Sequence, residues 1–144
     1  MSLAGLFGLA LWLAAAAQVG LLVVSVQVPA RLNWRTELAT LQPFNRKLMW
    51  VYGIFVVLTY LAFAVLTAAL HGELLRGDRA ALGLAIFIGV YWLARIVVDL
   101  TYFDSRDWPQ GRLMQLGHWA LDGVFVFLTV TYLGLAAWRV WGGA

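Results

Sequence analysis

Four long apolar runs, at residues 3–28, 48–70, 80–102 and 116–138, decide what this chain can become. Each exceeds the roughly 20 residues with which an α-helix crosses the hydrocarbon of a bilayer. Where no water reaches the backbone, its N–H and C=O groups must bond one another, and a helix does so within one segment. The predicted fold is therefore all-α: an integral membrane four-helix bundle, built as a single transmembrane domain over residues 1–144. Composition agrees. The chain is 63% hydrophobic and 12% charged, against about 25% charged in an ordinary soluble domain.

The first run is expected to stay in the membrane rather than act as a cleaved leader. No Lys or Arg precedes its apolar core, and hydrophobicity continues past the small residues of LAAAAQ. Pro29 is placed to end or kink this helix. Residues 31–47, RLNWRTELATLQPFNRK, form the most polar connection. Asn33 is predicted to cap a short interfacial helix whose apolar face is Trp34, Leu38 and Leu41, and Pro43 to open the next span. Residues 71–79, HGELLRGDR, read as a short turn in which His71 caps the end of the second span. Trp50, Trp108, Trp119, Trp138 and Trp141 fall near span ends, as interfacial anchors do.

The net charge of +3 is set by residues at span ends, where membrane topology places them, so nucleic acid is not an expected partner. Arg31, Arg35, Arg46, Lys47, Arg106 and Arg112 lie in the first and third connections, and Arg76, Arg79 and Arg139 on the opposite side. That asymmetry predicts a multi-pass protein of the cell membrane with both termini non-cytoplasmic.

Within the spans, side-chain spacing marks which faces turn inward. Ala81, Ala85 and Gly89 recur at i,i+4, a small-residue surface for close helix approach. Asn45, Tyr52 and Thr59 recur every seventh position on the second span. Gln115, His118, Asp122, Thr129, Tyr132 and Ala136 follow a 3-and-4 spacing along the fourth.

The ionisable residues carry the functional argument. Arg95 and Asp99 are i,i+4 on the third span, and His118 and Asp122 are i,i+4 on the fourth. If these spans fold back about Trp108–Pro109, Arg95 and Asp122 lie at one depth and Asp99 and His118 at another. At ~1.5 Å per residue, Arg95 and Asp122 would sit roughly 10 Å below the interface. A charge facing lipid there costs about 2.5–3.5 kcal/mol, so both must find partners. An Arg95–Asp122 ion pair is predicted, with Tyr52 near the level of Asp99 and Asn45, Gln27 and Gln115 on the same membrane side. The predicted binding residues are Tyr52, Arg95, Asp99, His118, Asp122 and Asn45, forming a polar cluster in the cytoplasmic half.

Function follows only as a class. The leading expectation is binding of a small or amphiphilic ligand, or of an ion, at this cluster. One alternative is a structural subunit or anchor of a larger membrane complex. The other is a membrane-embedded lipid-modifying enzyme, and no catalytic residue is assigned. The expected partners are membrane lipid, a small amphiphilic ligand, and either further copies in a homo-oligomer or the other subunits of a membrane complex. No cofactor and no metal are expected. There is no cysteine, hence no disulfide, thiolate nucleophile or Cys-ligated metal. His118 and Asp122 with Asp99, completed by Asp104 or Glu37, would suit Mn, Mg or Fe better than Zn, but no HExxH motif accompanies them. His71 and His118 fall on opposite membrane sides and would not share one haem.

Overall fold

A computed structural model describes residues 1–104, 106 and 110–142. Of the described residues 88% are helical, and among them there is no strand. Four helices are long and apolar enough to cross a membrane: α1 (Leu3–Arg31), α3 (Pro43–Ala69), α5 (Arg79–Thr101) and α6 (Arg112–Trp141). Two short ones complete the set, α2 (Trp34–Glu37), prolonged by a 3-10 turn at Leu38–Thr40, and α4 (His71–Arg76). This is an integral membrane protein with a short helix between its first two spans.

The helices outrun the apolar stretches because their end turns carry polar residues. α1 continues through Pro29 to Arg31, where the Gln27 side chain accepts two hydrogen bonds from the Arg31 guanidinium. α3 begins at Pro43, whose missing N–H costs nothing at a helix start. The loop centre foreseen at Trp108–Pro109 lies outside the described residues, as do Ser105 and Asp107.

The chain divides into two compact units. One, Ala15–Ala69, holds most of α1 with α2 and α3. Asn33 does not cap α2 through its side chain. It takes the left-handed conformation (φ 50°) and turns the chain, while its backbone carbonyl accepts from the N–H groups of Thr36 and Glu37. Asparagine tolerates that region better than most residues. The foreseen apolar face appears in part: Trp34 and Leu38 are partly buried, whereas Leu41 lies beyond the 3-10 turn and is exposed. The Trp34 ring meets Trp50 edge-on at 5.5 Å and lies over Gly53, where a Cβ would come within 3.2 Å of Cζ3. The buried stripe of α3 is Tyr60, Phe63, Ala64 and Thr67, whereas Asn45 and Tyr52 are exposed. The Thr59 hydroxyl bonds its own helix at the Phe55 carbonyl, a local option open to any helical threonine.

The other unit joins Met1–Ala14 to Leu70–Ala144. The 71–79 segment is a helical turn. α4 ends at Gly77 in the left-handed conformation (φ 78°), which lets the Gly77 and Asp78 N–H groups bond back to Glu73. His71 opens α4 rather than capping α3. Its Nε2 lies 2.9 Å from the Gly8 carbonyl, and its ring stacks on Trp12. Arg139 of α6 donates to the Leu75 carbonyl at the end of α4 and lies over the Trp138 ring.

α5 and α6 form an antiparallel hairpin. The small-residue surface works as foreseen: Ala81, Ala85 and Gly89 are all buried. A Cβ at Gly89 would lie 2.6 Å from Leu133 Cδ2 and 3.2 Å from the Leu133 backbone nitrogen, so only glycine permits this approach. Trp92 stacks on Phe125 at 5.2 Å, and these two residues are equidistant from Trp108–Pro109. The register is nonetheless shifted by about one helical turn from the one inferred from the charged residues: Gly89 meets the Leu133 backbone, where that inference would set it level with Leu128. The inward face of α6 is continuous only over its later turns, through Phe125, Leu128, Thr129, Tyr132, Leu135 and Ala136. Gln115 is exposed, and His118 and Asp122 are partly so.

Candidate functional site

Beyond Trp92 and Phe125, toward the connecting loop, the hairpin holds Arg95, Asp99, His118 and Asp122, and the register determines which of them meet. Arg95 pairs with Asp99 on its own helix. His118 Nε2 lies 3.3 Å from Asp122 Oδ2, also within one helix. The predicted Arg95–Asp122 ion pair is thus not formed. Residues at i,i+4 are held about 5–6 Å apart by the helix itself, and that local partner wins over one across the hairpin. Asp122 is nonetheless near enough to Asp99 and Arg95 to feel both charges. Across the hairpin Asp122 faces Asp99 rather than Arg95, about one turn from the depth pairing that the spacing implied, and the ion pairs run along each helix.

The four groups differ in environment. The Asp99 side chain is only 5% exposed, whereas Arg95 retains 30% and Asp122 42%. Oδ1 of Asp99 takes the Arg95 hydrogen bond, and its buried Oδ2 accepts none. A buried carboxylate oxygen without a donor is costly, on the order of 1–3 kcal/mol or more. Asp122 of the facing helix interacts with Asp99, so two carboxylates confront each other with Arg95 as the permanent cation paired to one of them.

Two aromatic rings belong to the site that spacing of charges alone did not reveal. The Arg95 guanidinium carbon stands 5.3 Å from the Phe125 centroid and 5.9 Å from that of Phe103. Such stacking suits the weakly hydrated guanidinium. Part of the signal was available, since Phe125 follows Asp122 by three residues on the same helical face, whereas Phe103 lies beyond the end of α5. Gln115 does not join the cluster. With Arg112, Leu116 and Trp119 it lines a separate open groove of about 350 Å³ on α6.

Tyr52 and Asn45 belong to the other unit, where Tyr52 is 58% exposed on α3. Among the described residues, no three His, Asp or Glu side chains are gathered closely enough to hold a metal ion, so the His118, Asp122 and Asp99 set is not assembled as ligands. No family model, curated protein or solved structure matches the chain.

Proposed function

We propose that the loop end of the α5–α6 hairpin receives a small amphiphilic molecule or an ion, held at Asp99 and Asp122 and flanked by Arg95 and His118. The observation that supports this reading is the buried, unmet Oδ2 of Asp99 facing a second carboxylate. Like charges at close range in a poorly solvated place repel. One permanent cation balances one of them, and a positively charged group, or a proton-donating head of an amphiphile, would balance the other. Phe103 and Phe125 supply apolar surface beside it. A purely structural role for the charges receives less support, because the close approach of the two helices is at Gly89–Leu133 and Trp92–Phe125.

Native mass spectrometry of the protein, gently solubilised from its own membrane, tests this. Wild type should retain a bound species in fixed ratio. Asp99→Asn with Asp122→Asn should keep its helix content and lose that species. A wild type that carries nothing, or a double variant that carries the same species, would refute the proposal.

We also infer that both termini lie on the non-cytoplasmic side of the cell membrane, from the basic excess in the first and third connections. An impermeant thiol reagent should label Ser2→Cys in intact cells and leave Gln110→Cys unlabelled. The reverse pattern would invert the orientation.

A further inference from the structure

The connections that join the spans treat their cations in opposite ways. In the 71–79 connection, Arg76 lies 3.3 Å from Glu73 and 3.2 Å from Asp78, and these carboxylates hold its guanidinium even more firmly protonated than usual. In the 31–47 connection there are four cations, Arg31, Arg35, Arg46 and Lys47, against the single anion Glu37, a net charge of 4 − 1 = +3. Among the described residues, none of these four has a carboxylate within 4.0 Å, and the only side-chain bonds of the set run from Arg31 to Gln27. Among the described residues, therefore, no close carboxylate balances this charge.

Its setting points to what balances it. The cations flank α2, whose Trp34 is fixed against Trp50 and into the notch over Gly53. Indole rings settle at the headgroup level of a membrane, so the two tryptophans hold the connection at that level. Arg31 ends one spanning helix, and Arg46 and Lys47 lie within the first five residues of the next. All four charges are thereby held where lipid phosphates lie. A solvated loop of mixed charge would need no such anchoring, and the paired 71–79 connection shows how this chain neutralises a cation when it does so internally. We propose that the α2 connection is a seat for the headgroups of anionic phospholipids, contacted by Arg31, Arg35, Arg46 and Lys47.

Juxtamembrane Lys and Arg each favour an anionic membrane surface by a few-fold, which compounds over three residues to about a hundredfold. The test uses the full chain in mild detergent, titrated with dioleoylphosphatidylglycerol or dioleoylphosphatidylcholine and read by native mass spectrometry. Wild type should favour phosphatidylglycerol, and the preference should shrink as salt rises, because the contacts are exposed. Arg35→Gln with Arg46→Gln and Lys47→Gln should abolish most of it, with unchanged circular dichroism. Arg76→Gln with Arg79→Gln should leave it intact. Should the triple variant misfold, the salt titration of wild type decides alone: a preference indifferent to salt overturns the proposal. A triple variant that still favours phosphatidylglycerol, equal loss in the Arg76 and Arg79 variant, or displacement of the lipid by millimolar glycerol 3-phosphate would each overturn it too. Asp99→Asn with Asp122→Asn should bind phosphatidylglycerol as wild type does, which separates this site from the one on the hairpin.

Discussion

The two ends of the α5–α6 hairpin are made from the same kind of helix and behave differently. Toward Ala81 and Ala136 small, branched and aromatic residues are buried together, and the backbones approach closely at Gly89. Toward the connecting loop, past Trp92 and Phe125, no residue of either helix is fully buried, and this is where Arg95, Asp99, His118 and Asp122 lie. In lipid the apolar side chains gain little by leaving solvent, so helices adhere through close packing and polar bonds. The packed end uses shape. The open end has charges that satisfy themselves along each helix and leave one carboxylate oxygen unmet. Close association and a receptive polar site are thus separated along a single hairpin.

Substitutions at the two ends should break apart in magnitude. The largest effect is expected from Trp92→Ala, which empties a fully buried site against Phe125 and should cost about 3–5 kcal/mol in reversible unfolding from detergent. Next comes Gly89→Leu, where the backbone of Leu133 cannot yield as a side chain would. A loss near the top of the ~1–3 kcal/mol range for overpacking is expected. At the open end, Arg95→Met strands Asp99. Since Arg95 keeps 30% of its side chain exposed, the loss should fall toward the lower part of about 1–3 kcal/mol. Smallest is Leu100→Ala, at a side chain 77% exposed, with a change within ~0.5 kcal/mol. If Leu100→Ala proved as costly as Gly89→Leu, the open end would be packed in the membrane and the contrast would disappear.

Much of this was legible from the residues themselves. Apolar run length foretold four spanning helices, and i,i+4 recurrence picked out Ala81, Ala85 and Gly89 as the contact surface. The hairpin itself was legible, but its register was not: Gly89 meets Leu133 and Asp122 faces Asp99, about one turn from the pairing that charge spacing gave. Partner choice was not legible. Spacing fixes face, but Arg95 had candidates on both helices, and the selection depends on a register that charge spacing alone does not set. The seven-residue recurrence of Asn45, Tyr52 and Thr59 misled for a related reason: a polar stripe in a span turns inward only if no other solution exists. Near a span end a hydroxyl or amide can reach the interface, and Thr59 bonds its own helix. The left-handed turn at Asn33 replaced a side-chain cap that was equally compatible with the sequence.

The bond from Arg139 to the Leu75 carbonyl has a bearing on how the protein is made. The last carbonyls of a helix lack partners within it, and a cation there also meets the negative end of the helix dipole. α4 receives this closure from a residue 64 positions further along the chain. When α4 leaves the ribosome, its terminal carbonyl must therefore wait until the last span has been synthesised and inserted. The final turn of α6 then acts as a latch that records the completion of the preceding helices. In Arg139→Gln, amide hydrogen exchange should quicken over Leu74–Asp78 while the Gly89–Leu133 region stays protected. Unchanged exchange at α4 would mean that Gly77 alone suffices to hold its end.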